Sequence, residues 1–123
     1  MNLDSLCVPG RSPWAPNDHI EQLDVWHYDD IPTLGTFRSE GEPFLFYATD
    51  ESYSVWVYLP ITGIETEADG CYTHQSLERL VAWAGRAVVV AAAGDGCWIR
   101  QHAVVPASDL YYRMDQLFGG GEA

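Results

Sequence analysis

The chain has 123 residues, and its 18 acidic residues outnumber its 6 basic residues to give a formal net charge of −12. Direct nucleic-acid binding needs clustered Lys and Arg that displace counterions from phosphates, and anionic membranes attract the same cations. The charge therefore argues against both partners. The length predicts one domain over residues 1–123, with an extended arm at 1–17 and a flexible tail at 119–123.

The thiols and the N-terminus indicate the compartment. Cys7, Cys71 and Cys97 follow no disulfide-scaffold spacing, and the first residues lack the cation and apolar segment of a secretory signal. The longest apolar run, 87–93, is far shorter than the roughly 20 residues of a membrane-spanning helix. We expect reduced thiols and a cytoplasmic location, in a bacterial cell or a phage-infected host.

The first half of the predicted fold is a chain of strands. A strand beginning at Ile20 ends in a turn at 29–32, and a short strand follows at 34–38. Aromatic and β-branched residues predict further strands at 44–48 and 53–59, joined by short acidic turns. Within the first strand, alternation places His27 on one face and Asp24, Trp26 and Tyr28 on the other.

The second half combines helices with a hairpin. After an acidic loop at 61–72, the apolar spacing predicts a helix over 73–84 with Gly85 at its end. Strands at 87–93 and 97–105 flank a turn at 94–96, and a second helix runs from Ser108 to Phe118. The fold class is α+β: a mainly antiparallel sheet, made of an N-terminal four-stranded meander plus a C-terminal hairpin, with two helices packed on it.

The charge is confined to part of the chain. Residues 18–78 hold thirteen acidic residues and one basic residue, Arg38, so they account for the entire net charge. The flanking segments 1–17 and 79–123 are each electrically neutral.

Motifs for catalysis are missing from the sequence. It has no nucleophile elbow, phosphate-binding loop or dinucleotide fingerprint, and Cys7 lies in an arm expected to be mobile, without a fixed base. We predict no catalytic residue and no cofactor. Four residues have side chains that suit zinc: Cys71, His74, Cys97 and His102. Their spacing matches no compact zinc motif, and it favours small thiols and surface histidines over a metal site while leaving metal binding open.

Two interpretations of the acidic residues remain. His27 with Asp29 and the neighbouring carboxylates forms either a strand-ending turn, which its residue types favour, or an acid–base or ligand site. Aromatic residues make up 13% of the chain, and they either fill the core or, ringed by charge, anchor a protein interface. The interface interpretation assigns partner binding to Asp24, Trp26, Tyr28, Asp29, Asp30, Glu40, Glu42, Asp50, Glu51, Glu65, Glu67 and Asp69.

Three segments carry a resemblance. Residues 24–32, 44–47 and 55–60 resemble a group of small uncharacterised bacterial and phage proteins that share a tyrosine, a turn with Asp and Pro, and two aromatic strands. In composition the chain is similar to toxin-neutralising immunity proteins and to phage inhibitors of host defence nucleases, the class of anti-CRISPR proteins. The resemblance implies no role for individual residues.

These observations favour a non-catalytic acidic module that inhibits a basic partner protein, such as a nucleic-acid-binding enzyme whose phosphate sites the carboxylates would occupy. The alternative is a small enzyme or ligand-binding protein built around His27 and Asp29. A third hypothesis is a homodimer formed through the aromatic strands.

Overall fold

A computed structural model describes residues 3–49, 52–65 and 74–110. It contains one six-stranded antiparallel sheet in chain order, so the predicted meander and hairpin belong to a single sheet and the α+β class is confirmed. The strands are β1 (Ile20–Asp29), β2 (Ile31–Ser39), β3 (Glu42–Ala48), β4 (Val55–Pro60), β5 (Arg86–Ala93) and β6 (Trp98–Pro106), and the helix α1 (His74–Ala84) connects β4 to β5.

The turns of the acidic half are tighter than the sequence predicts. The turn expected at 29–32 is present but shorter than predicted, because the chain reverses at Asp30 alone and Asp29 already pairs with Ile31. Asp30 has φ +64, a left-handed conformation that Asp tolerates better than most residues. Glu40 and Gly41, with φ +53 and +83, form the two-residue turn from β2 to β3, which matches the twist of a hairpin.

One face of the sheet packs against the helix. Val57 of β4 and Val89 of β5 point to this face and meet Leu80 and Val81 of α1 in a buried cluster. The helix ends where predicted, at Gly85, which has φ +77 and so takes the left-handed position that closes a helix. Because α1 lies over β4 and β5, it leaves the β1–β2 side of this face without a described helix above it.

The opposite face carries an aromatic core. Phe37, Phe44, Phe46, Trp56 and Tyr58 are fully or almost fully buried there. Phe37 lies within 6 Å of three of the other rings, edge-on to Tyr58 with ring centroids 5.6 Å apart. Most of the strand aromatics therefore stabilise the fold. Burying one large side chain fully contributes about 1.5–3 kcal/mol to the free energy of folding.

The N-terminal segment covers this aromatic core. A 3-10 turn at Leu3–Ser5 leads into the buried residues Leu6 and Cys7. The expectation that Cys7 lies in a mobile arm is therefore wrong, and its burial raises the pKa of the thiol to about 12. The apolar side chains at these positions are too few to form a recognisable periodicity. The three prolines that follow favour an extended segment, so the sequence pattern does not predict that the segment packs.

Two sets of hydrogen bonds hold the segment in place. The Tyr58 hydroxyl donates to the Pro13 carbonyl at 2.5 Å, and Asn17 Nδ2 donates to the Leu6 carbonyl at 2.7 Å. At the outer side of β6, the Gly10 amide donates to the Ile99 carbonyl and the Ile99 amide donates to the Arg11 carbonyl, both at 2.8 Å. These backbone bonds cover part of the β6 edge of the sheet.

Only the start of the predicted C-terminal helix lies in the described part of the chain. A 3-10 turn at Ala107–Asp109 follows β6, and Leu110 is buried against the helix-side core. Residues 111–123 lie outside the described part, so the second helix and the flexible tail stay predictions. Within the described ranges, no helix has the length and apolar character that a membrane crossing requires.

Candidate functional site

The first strand forms one edge of the sheet. Eight of the ten residues of β1 are exposed, and only Ile20 at its start and Trp26 are partly buried. Glu21, Asp24 and Asp29 lie along the strand, and Asp30 follows it in the turn. Glu40 from the next turn lines the same shallow depression as Glu21. We call these five residues the acidic edge.

The regular alternation predicted for β1 is wrong. Register shifts occur between Glu21 and Asp24 and again around Trp26, which has no partner in β2. Asp24 pairs with Thr36 and His27 with Leu34, so both lie on the face shared by alternate residues of β2. Bulges of this kind place an extra residue in one strand, and here they bring Asp24 and His27 to the same face.

A close backbone contact accounts for one irregularity. The Asp24 carbonyl oxygen would lie 2.2 Å from a Cβ at position 35, and the Phe46 ring 3.1 Å from it. Only glycine fits between them. Gly35 therefore allows β1 to approach the aromatic core at the middle of the acidic edge.

Few cations offset the acidic edge. Arg38 pairs with Glu21 across the β1–β2 ladder, and it donates to the Gly41 carbonyl at 2.8 Å. Arg11 forms an ion pair with Asp18 at 2.6 Å, just before β1. Both arginines lie towards the start of β1, so the negative field is least compensated from Asp24 to Asp30.

The same strand exposes apolar and aromatic surface. Tyr28 is 66% exposed, Leu23 43% and Val25 38%, whereas Trp26 is half-buried against the helix-side core. Of the two predicted anchors, Tyr28 lies on the surface and Trp26 contributes partly to the core. An exposed aromatic side chain flanked by carboxylates is a composition common in protein interfaces.

The other predicted partner-binding residues are divided. Glu42 lies half-buried in β3, on the far side of β2 from the edge. Glu65 lines a depression together with Asp24 and Arg38, and its Oε1 accepts a hydrogen bond from the Gly63 amide at 2.9 Å. Asp50, Glu51, Glu67 and Asp69 lie outside the described residues.

An open groove of about 760 Å³ lies beside the far end of the acidic edge. It runs between the ends of β1 and β3, the start of β2, the residues before β4 and Leu77 of α1. Its apolar lining comes from Trp26, Leu34, Tyr47, Ala48 and Leu77, and its polar lining from His27, Asp29, Thr33, Thr49 and Tyr53.

Hydrogen bonds hold several of the polar lining residues of this groove in place. The Tyr53 hydroxyl donates to Asp29 Oδ2. Tyr53 itself has φ +57, and the Trp56 indole holds it by donating to its carbonyl at 2.8 Å. His27 Nδ1 lies 2.8 Å from the Thr33 hydroxyl oxygen, and that hydroxyl donates to the His27 carbonyl at 3.2 Å. Which atom donates in the contact between Nδ1 and the Thr33 hydroxyl depends on the tautomer of the ring.

The described residues place no carboxylate against the His27 ring. Thr33 contacts its Nδ1, and Asp29 instead accepts a hydrogen bond from Tyr53. The groove is open, and Asp29 is the one carboxylate in its described lining.

The candidate zinc ligands are not assembled in the described part of the chain. Cys97 is exposed in the turn before β6, not in the strand as predicted, and His102 Nε2 lies 2.9 Å from the Asp4 carbonyl. Cys71 and the His74 side chain lie outside the described residues. Among those that are described, no group of three or more His, Cys, Asp or Glu is placed to hold a metal ion.

Comparison with protein-family models, with curated proteins and with solved structures finds no match for this chain.

Sequence reasoning missed several residues of this surface. Glu21 has the same charge and strand as the predicted residues, so its place in the predicted first strand was the available signal. No sequence signal identified Thr33 or Tyr53, because their part in the site is to contact His27 and Asp29 across the sheet.

Proposed function

We propose that this protein is a non-catalytic binding module whose acidic edge contacts a basic surface of a partner protein. The observation that carries the proposal is β1 itself: an exposed edge strand that combines four carboxylates, counting Asp30 in its turn, with the 66% exposed Tyr28. The compositional similarity to immunity proteins and phage inhibitors supports an inhibitor that covers its partner's functional surface.

Recognition uses the side chains of β1 more than its backbone. A regular edge strand invites pairing with a strand of another chain, but Gln22 has φ +55 and the register is interrupted around it and around Trp26. Bulges and charges are the features that protect edges from strand addition. A partner therefore meets a row of carboxylates around an aromatic side chain, not a continuous ladder of free amides.

The charge spacing favours steering over close imitation of nucleic acid. Ten residues of strand span about 30 Å, so the four carboxylates along β1 and its turn are several times sparser than the charges of duplex DNA, one per about 1.7 Å. A basic protein, including a nucleic-acid-binding enzyme, would be attracted over a Debye length of about 8–10 Å. Tyr28 and the exposed Leu23 and Val25 would then supply the desolvated contact.

The test compares two matched pairs of substitutions. Asp24→Asn with Asp30→Asn neutralises the acidic edge, and Asp95→Asn with Asp109→Asn neutralises two exposed acids of the neutral half. Each pair contains one left-handed Asp, since Asp30 has φ +64 and Asp95 φ +59, and each changes the net charge equally. Partners captured from the source cell by the wild type are identified and purified, and their affinities for all three proteins are measured across salt concentrations.

We expect the edge pair to weaken binding at least tenfold and to flatten its salt dependence, while the control pair stays within twofold of the wild type. Equal affinities for the two variants would show that binding does not use the acidic edge. If both weaken binding equally, net charge and not this surface is responsible, and the proposal is wrong.

A further inference from the structure

We infer that the groove beside the acidic edge is a pocket for an arginine side chain of the partner. The inference rests on the proposed function, because it names the group that the partner inserts there. Apolar and polar side chains line the groove in equal number, which suits a long amphipathic cation.

The apolar lining of the groove matches the methylene stem of an arginine side chain. Leu34 and Tyr47 face each other across β2 and β3, and Leu77 of α1 closes the groove from above. Trp26 contributes a large ring beside them. Arg and Lys bury their methylene groups along surfaces of this kind and keep the charged end at a polar boundary.

The polar lining of the groove offers hydrogen-bond acceptors. The hydroxyl protons of Thr33, Thr49 and Tyr53 are already donated, to the His27 carbonyl, to the Val55 carbonyl and to Asp29. A ligand that brings acceptors would find few donors among these groups. A guanidinium brings five donors and no acceptor.

Asp29 supplies the countercharge. Tyr53 donates to its Oδ2, and no other described residue donates a hydrogen bond to the carboxylate, which leaves Oδ1 available to a ligand. A planar guanidinium can donate to this oxygen while stacking against an aromatic ring, which a lysine ammonium cannot do as well. No lysine or arginine is among the groove's described lining residues to compete for the position.

The experiment uses small probes, so it does not depend on knowing the partner. The full chain, labelled with ¹⁵N, is titrated with N-acetyl-arginine amide, with the lysine equivalent and with N-acetyl-citrulline amide, a neutral compound of nearly the same shape. Asp29→Asn tests the countercharge, because an asparagine oxygen can still accept from Tyr53. Asp109→Asn is the control, since Asp109 is exposed near the opposite end of the sheet, where Ala107 bonds to Gly85.

We expect the arginine probe to shift the amide signals of His27, Asp29 and Leu77 with a saturable dissociation constant in the millimolar range. Citrulline should bind at least tenfold more weakly and the lysine probe at least threefold more weakly. Asp29→Asn should reduce arginine binding at least tenfold, and Asp109→Asn should leave it unchanged.

Three results would overturn the inference: no saturable shift with arginine, equal binding of citrulline or lysine, or shifts spread along the acidic edge without a focus at the groove. The citrulline comparison uses the wild type, so it stands even if Asp29→Asn fails to fold. Loss of the arginine site with retained dependence of partner binding on Asp24 and Asp30 would refute only the pocket. The reverse result would refute the acidic edge as the partner's contact.

Discussion

Replacing Gly35 by alanine should detach the acidic edge from the rest of the sheet. The added Cβ would lie 2.2 Å from the Asp24 carbonyl oxygen, whereas real contacts of this kind essentially never fall below 3.0 Å. The backbone of β1 must therefore move by about 0.8 Å. The Cβ cannot escape to the other side, because the ring of the fully buried Phe46 is 3.1 Å away.

The magnitude follows from two opposing effects. Overpacking a tight site costs about 1–3 kcal/mol, and alanine recovers about 0.4–1 kcal/mol by restricting the unfolded chain. We expect Gly35→Ala to lower the free energy of unfolding by about 1–2 kcal/mol. With a urea dependence of about 1.5 kcal/mol per molar, the midpoint of urea denaturation falls by about 1 M.

Hydrogen exchange distinguishes local detachment from general weakening. Because β1 is an edge strand with an interrupted ladder, it yields before the central strands, and the β1–β2 amides should lose protection while those between β3 and β5 keep it. Gly63→Ala is the control: Gly63 has φ +85 and open space around it, so the substitution costs about 1 kcal/mol without affecting β1. An unchanged urea midpoint with full β1 protection in Gly35→Ala would refute the close contact.

Three further predictions concern the N-terminal segment and the core beneath it. Tyr58→Phe leaves the Pro13 carbonyl without its donor and should cost about 1–3 kcal/mol in urea denaturation, whereas the same change at the exposed Tyr28 should cost less than about 0.5 kcal/mol; equal losses would contradict this. At pH 8, iodoacetamide should modify the exposed Cys97 at least tenfold faster than Cys7, whose pKa is raised to about 12 by burial, as read peptide by peptide in mass spectrometry. Because the unfolded chain releases the Cys7 proton near pH 9 and the folded protein only near pH 12, stability should be fully present below pH 9 and fall above it, by up to about 1.4 kcal/mol per pH unit; a slope that Cys7→Ala does not reduce would show that another group is responsible.

The strands and the helix could be predicted because their signals are local. Aromatic and β-branched runs located β3, β4 and β5 to within two residues, and the spacing of Leu77, Leu80 and Val81 located α1. The reversal at Asp30 and the bulges of β1 depend on how one strand meets its neighbour. The approach of the Asp24 carbonyl to Gly35 is such a contact, and no pattern within β1 contains it.

The candidate site was predictable to a similar extent. Charge counting identified Asp24, Asp29 and Asp30, and the structure places them on one edge. The groove could not be predicted, because its lining comes from separate elements that meet only in the folded sheet. The hydrogen bond from Tyr53 to Asp29 joins residues 24 positions apart, beyond the reach of any periodicity argument.

The attachment of the N-terminal segment to β6 has a consequence for synthesis on the ribosome. His102 meets the Asp4 carbonyl across 98 positions of sequence, and Ile99 bonds to Gly10 and Arg11. Residues 4–11 therefore cannot complete their docking until β6 has been synthesised. Until β6 has left the exit tunnel, the aromatic face of the growing sheet lacks its complete cover, and this interval is when a nascent chain most needs a chaperone.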